Sequence, residues 1–171
     1  MNLYESILGP DWQLLDPHVR LSHTPPLSAV GTIKIESKAG LIGRMVASMM
    51  GLPPPSESIL ASLTLRENGD VVVWNRRFGD VSMVTRQSKA GDLLREQSDA
   101  GDYLFALSAV DGSLVYRSRS CVPKGRFLPR WLLPQVRAKV SGAEKGWIVR
   151  VDVRLPLLGT VYTYGGPMRI A

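Results

Sequence analysis

From residue 58 onward, apolar and polar residues alternate with a period of two, the pattern of half-buried strands. Two short turn signals punctuate it. Asn68-Gly69 predicts a hairpin pairing Glu67 with Asp70, Arg66 with Val71 and Leu65 with Val72. One face then carries Ile59, Ala61, Leu63, Leu65, Val72, Trp74, Arg76 and Phe78. The other carries Leu60, Ser62, Thr64, Arg66, Val71, Val73, Asn75 and Arg77. The first face is apolar except for Arg76. Asp111-Gly112 repeats the device, with Tyr103, Phe105, Leu107, Ala109, Leu114 and Tyr116 on one face and Ser118 and Ser120 further out. Arg117 and Arg119 point the other way. A third strand alternates through Trp147, Val149, Val151, Val153 and Leu155, breaks at Pro156 and Gly159, and resumes from Val161 to Tyr164.

Ahead of this region the pattern is mixed. Asn2 and Glu5 have capping-box spacing for a short helix from Leu3 to Leu8, which Gly9-Pro10 ends. Asp16-Pro17 opens a second short helix, since Asp caps and Pro suits a first turn. Ser28 to Ser37 alternates as a strand. Leu41, Ile42, Met45, Val46, Met49 and Met50 then recur at helical spacing, and Gly51 with Pro53-Pro54-Pro55 ends that helix. The Pro-rich interval from Val122 to Val136 is read as a long excursion with a short helical turn.

Serial hairpins make an antiparallel meander, and parallel pairing would need more long helices than the chain has. The expected class is mainly β (α+β by content). It is a strongly curved antiparallel sheet or incomplete barrel of eight or nine strands, with one long helix over residues 40–50 against its concave side and short N-terminal helices. At 171 residues the chain fits a single domain, 1–171, with an N-terminal helical segment over 1–27 and a β-rich body over 28–171.

Composition narrows the chemistry. One cysteine, Cys121, excludes an internal disulfide framework and a four-cysteine zinc site. No apolar run approaches the roughly 18 residues that span a bilayer, and the first residues lack a basic region before an apolar core. A cytoplasmic location is expected. The net charge of +6 is unevenly placed: no acid lies between Asp111 and Glu144. That interval holds Arg117, Arg119, Lys124, Arg126, Arg130, Arg137 and Lys139, with Phe127 and Trp131 among the cations. Such a segment suits an anionic membrane surface or an acidic partner protein better than nucleic acid, which wants aromatics on a strand platform. His18 and His23, five apart and without clustered Cys or carboxylates, read as surface histidines. No phosphate loop, nucleophile elbow or dinucleotide fingerprint is present, so no cofactor, metal or catalytic residue is expected, and the enzyme reading ranks last.

The binding signals are stronger. A charge on an apolar sheet face needs a partner if buried: an acid such as Glu96, an anionic ligand group, or the sheet rim. The expected ligand is an apolar or amphipathic, lipid-like small molecule held in the cup. Met45, Met49, Trp74, Tyr103 and Phe105 would line the cup, Arg76 or Arg77 would meet an anionic head group, Glu96 is a further candidate at the site, and Tyr164 would donate a hydrogen bond.

The order of several motifs resembles a bacterial family, domain of unknown function 4166. They are Leu8-Gly9-Pro10 with Trp12 and Leu15, Gly40-Leu41-Ile42, Met50-Gly51-Leu52-Pro53 and Trp74-Asn75-Arg76-Arg77-Phe78-Gly79. The Asp111-Gly112 hairpin, Phe127-Leu128-Pro129, Leu155-Pro156-Leu157-Leu158-Gly159 and Tyr164-Gly165 complete the set. The resemblance implies no assigned activity. Similar domains often follow a nucleotide-binding reductase-like domain, which implies a reductase-like partner protein rather than a redox role for this chain.

Overall fold

Every alternating segment joins one sheet. The computed structural model of the chain describes residues 2–124 and 133–171. In order the elements are α1 (Leu3–Leu8), a 3-10 helix (Gly9–Leu14), α2 (Pro17–Leu21), β1 (Leu27–Ser37), α3 (Gly40–Met49) and β2 (Ser56–Asn68). Then come β3 (Val71–Phe78), β4 (Val81–Ala90), β5 (Leu93–Gln97), β6 (Gly101–Val110), β7 (Ser113–Pro123), β8 (Gln135–Ala143), β9 (Gly146–Leu155) and β10 (Gly159–Ile170). Each strand pairs antiparallel with its sequence neighbour, and β1 pairs with β10. The result is a closed up-and-down barrel of ten strands, not the incomplete barrel of eight or nine that the sequence suggests.

Closure is made at the β1–β10 seam, with Ala29 opposite Ile170 and Ser37 opposite Tyr162. Glycine permits the close approach there. A Cβ on Gly31 would lie 2.1 Å from the Pro167 carbonyl oxygen, and one on Gly166 would lie 2.1 Å from that of Thr32. Neither contact can be relieved by turning a side chain, because backbone stands on the other side.

The β2–β3 hairpin turns one residue later than Asn68-Gly69 implies. Asn68 pairs with Val71 and Leu65 with Trp74, because the two-residue loop is Gly69-Asp70 with Gly69 at φ +61°. The slip changes partners by two positions, which preserves the faces. In the β6–β7 hairpin Asp111 and Gly112 both have positive φ, the backbone of the tight turn their sequence predicts. A bulge after Leu104 then shifts the pairing: Leu104 meets Ser120, and Phe105 meets Ser118. Beyond it, Cys121 turns inward and is buried.

The two ends of the barrel are covered differently. The N-terminal helices close one end with Tyr4, Trp12, Leu15 and Val19, all buried. Asn2 accepts the Tyr4 N–H at 3.0 Å, and its own N–H is accepted by Glu5 at 3.4 Å, completing the capping box. The Asn2 side chain also donates to the His23 carbonyl at 2.8 Å, tying the start of α1 to the end of the cap.

At the other end, α3 runs from β10 toward the β5–β6 turn. The Lys38 N–H donates to the Val161 carbonyl at 2.9 Å, and a Cβ on Gly51 would stand 3.7 Å from that of Ala100. Tyr162 donates to the Pro53 carbonyl at 2.6 Å and holds the returning segment. This helix is ten residues of short span rather than a long element in the concavity. Its buried face is Gly43, Val46, Ala47 and Met50, the i, i+3, i+4, i+7 set. Leu41, Ile42 and Met45 are exposed, contrary to the single buried stripe their spacing predicts. The helix crosses a barrel mouth, so only its underside meets protein.

Candidate functional site

Period-two alternation drives one side chain in two into the barrel, and most of these are Val, Leu, Ile, Phe or Trp. They do not fill it. A cavity of about 130 Å³ remains, walled by Ile33, Ala61, Leu63, Phe78, Phe105, Val136, Ala138, Val140, Trp147, Val149, Val151 and Met168. Ser22, His23, Trp74, Arg76, Gln87, Glu96, Tyr116 and Tyr164 bring polar groups to the same space.

Those polar groups form a directed chain. The Trp74 indole N–H donates to the Tyr4 hydroxyl oxygen at 2.7 Å. Tyr4 in turn donates to the Gln87 carbonyl, and the Gln87 amide donates to Glu96. Arg76 closes the chain: it donates to Glu96 at 3.5 Å and to the Thr85 hydroxyl at 2.9 Å. The guanidinium also lies 4.7 Å from the Trp74 ring centroid, within range of the ring quadrupole. Four elements, α1, β3, β4 and β5, are thereby linked through one buried network. Burial pushes the Tyr4, Tyr116 and Tyr164 hydroxyls up, so they stay neutral donors across the ordinary pH range.

Arg76 and Glu96 each keep about one-sixth of their side-chain surface, 17% and 16%, although strands surround them. That surface faces the cavity. Among the described residues they are the only Arg, Lys, Asp or Glu lining it, and they neutralise each other.

His23 is 1% exposed, which overturns its reading as a surface residue. It follows α2, and its Nδ1 lies 2.9 Å from the Val19 carbonyl and 2.8 Å from the Ser22 hydroxyl. Its ring packs edge-on against Tyr4 at 4.8 Å and beside Trp74 and Tyr116 at 5.6 and 6.0 Å. Burial, with Arg76 adding to it, holds the imidazole down at about 4, while the Val19 contact opposes the shift; it is neutral at physiological pH. His18 is the exposed one, 3.5 Å from Asp16.

Of the residues singled out from the sequence, Trp74, Arg76, Glu96, Phe105 and Tyr164 meet in the cavity. Tyr103 stacks behind Phe105 at 6.4 Å between ring centroids. Met45 is half exposed on the outer side of α3, and neither it nor Met49 reaches the cavity. Arg77 points outward, donating to the Gly79 carbonyl at 2.9 Å. His23, Ser22, Gln87 and Tyr116 were not singled out. The one sequence signal for His23 is its place four residues after Val19, just past the end of α2.

Arg117, Arg119 and Lys124 are exposed on the outside. Register places Arg117 opposite Arg137, Arg137 opposite Asp152, and Lys139 opposite Arg150, so the outer face of β7, β8 and β9 is basic. Arg126, Phe127, Arg130 and Trp131 lie outside the described residues. Cys121 is buried, and its thiol is pushed up to about 12, which makes it an inert packing group. Among the described residues no three His, Cys, Asp or Glu side chains stand close enough to hold a metal ion, and no helix is long and apolar enough to cross a membrane.

No curated protein and no solved structure gives a significant match to the chain. A family model does, over residues 15–168, from the second half of the helical cap to near the end of β10. The chain therefore belongs to the family described as "Domain of unknown function (DUF4166)", whose members share this stretch of sequence.

Proposed function

We propose that the barrel is a non-enzymatic binding domain that holds one apolar or amphipathic small molecule inside it. The observation that carries this reading is the interior cavity of about 130 Å³, apolar on most of its wall and polar at one cluster. Binding sites of small molecules have that composition: an apolar body for affinity and a few fixed polar groups for orientation. The ligand is neutral. Arg76 is already matched by Glu96, so a charged head group would enter without an opposite charge to meet it. An anionic ligand group at Arg76, one of the options the sequence leaves open, is therefore disfavoured.

Catalysis finds less support. The neutral His23 is a weak base with a low pKa, and the Tyr hydroxyls are held protonated. Among the described residues, no pair of groups has the opposed shifts that mark a general acid and base working near neutral pH.

Native mass spectrometry of the purified chain, followed by organic extraction, tests the reading. A stoichiometric neutral adduct is expected, and Ala138→Phe, which fills the cavity from β8, is expected to abolish it while the chain stays folded. A bare-protein mass from folded wild-type chain, or an adduct that survives Ala138→Phe unchanged, would contradict it.

A further inference from the structure

The His23 Nε2 atom is fully buried, yet it has no hydrogen-bond partner among the described residues. A buried polar atom without a partner is costly, and such a cost persists in a fold only where something offsets it. Three features define what the atom asks for.

The first is the tautomer. Both neighbours of Nδ1 accept: the Val19 carbonyl oxygen, and the Ser22 hydroxyl, whose own proton goes to that same carbonyl at 2.7 Å. Nδ1 must therefore carry the ring proton, which leaves Nε2 with a bare lone pair. The missing partner is a donor, an O–H or N–H.

The second is direction. Nδ1 faces back toward its own helix, through Val19 and Ser22. The other ring nitrogen lies on the opposite edge of the imidazole, and the ring, beside Trp74 and Tyr116, lines the cavity.

The third is size. An apolar cavity of about 150 Å³ accepts a benzene-sized molecule. The barrel cavity, about 130 Å³, is of the single-ring class, too small for a long-chain lipid. Trp74, Phe105, Tyr116 and Trp147 supply aromatic wall.

Together these place an acceptor at the capped end of a ring-sized, electrically balanced cavity. We propose that the barrel's ligand is a neutral single-ring molecule carrying one hydrogen-bond donor, of the phenol class, and that His23 Nε2 accepts that donor. This rests on the barrel being a small-molecule site and adds the class of molecule and the residue that reads it. Ser22 supports the role from behind: with the Val19 carbonyl it fixes the ring orientation and the tautomer.

The probes are phenol, its isostere toluene, and anisole, which keeps the ring and oxygen but has no donor. Each is titrated calorimetrically into the full chain near neutral pH. Phenol is expected to bind about tenfold tighter than toluene or anisole, the size of one well-made hydrogen bond. In His23→Phe the preference for phenol over toluene is expected to vanish while toluene binding persists. The anisole comparison needs no variant, so it decides the matter even if His23→Phe fails to fold. Equal affinities for the three probes, or a phenol preference that survives in His23→Phe, would overturn the assignment to His23 and leave the binding barrel standing. Binding of none of the three would overturn both.

Discussion

Replacing Glu96 by leucine is expected to destabilise the fold by about 3–5 kcal/mol, far more than removing a surface carboxylate. Glu96 accepts from both Gln87 and Arg76 inside the barrel. Without it, a guanidinium is left in the interior with only the Thr85 hydroxyl and the Trp74 ring for company, and the Gln87 amide loses its acceptor. The double replacement Arg76→Met with Glu96→Leu is expected to recover most of the loss, because two apolar groups of similar volume remove the charge along with its partner. Urea denaturation of the wild type, the two single variants and the double variant gives the coupling directly. A loss below about 1 kcal/mol in Glu96→Leu would mean that cavity solvent satisfies Arg76 as well as Glu96 does.

His23 makes the second large effect, and its sign follows from burial. In the fold the imidazole is held down at about 4, first by desolvation and then by the nearby Arg76 charge. In the unfolded chain it takes up a proton near its ordinary value of about 6.5. Between these values the unfolded state binds a proton that the folded state refuses, so stability falls as pH drops through that window. Fully expressed, the contribution is about 3 kcal/mol. The groups that face the ring are Tyr4 from α1, Trp74 and Arg76 from β3, and Tyr116 from β7. Over this range none of them changes charge, because burial holds both tyrosines neutral and an arginine stays protonated. Carboxylates elsewhere titrate too, and the variant His23→Gln removes only the histidine share. Denaturation at about pH 6.5 and about pH 4.5 is expected to show the wild type losing about 2 kcal/mol more than His23→Gln over that interval. Parallel losses in the two proteins would mean that the ring takes up its proton within the fold.

Much of the barrel can be read from alternation, and the limits of that reading are physical. The faces of β2, β3 and β9 follow from period two because each strand has one wet side and one dry side. Arg76 stood out for the same reason: a charge among Trp74, Phe78 and Leu65 breaks a pattern. Strand β4 shows no such contrast. Thr85 and Gln87 point inward while Arg86 and Ser88 point out, so both faces are polar and the alternation disappears. Gln87, the link between Tyr4 and Glu96, was hidden with it. Closure was not legible either, since the pairing of β1 with β10 joins residues more than a hundred apart and leaves no local signature beyond glycines at Gly31 and Gly166. The helical stripe of α3 misled in the opposite direction. Leu41, Ile42 and Met45 have the spacing of a buried face, but a helix laid across a barrel mouth is covered on one side only. His23 lies in a short connection, where no periodicity applies, and only its position one turn after buried Val19 marks it.

The most direct measurement is an isotope-filtered nuclear Overhauser experiment on the methyl-labelled chain with unlabelled phenol. Its ring protons are expected to contact the methyl groups of Ile33, Val140, Val149, Val151 and Met168, all on the cavity wall. Contacts confined to Leu41, Ile42, Leu157 or Leu158, which are exposed apolar groups outside the barrel, would show phenol on the surface and contradict an interior binding site.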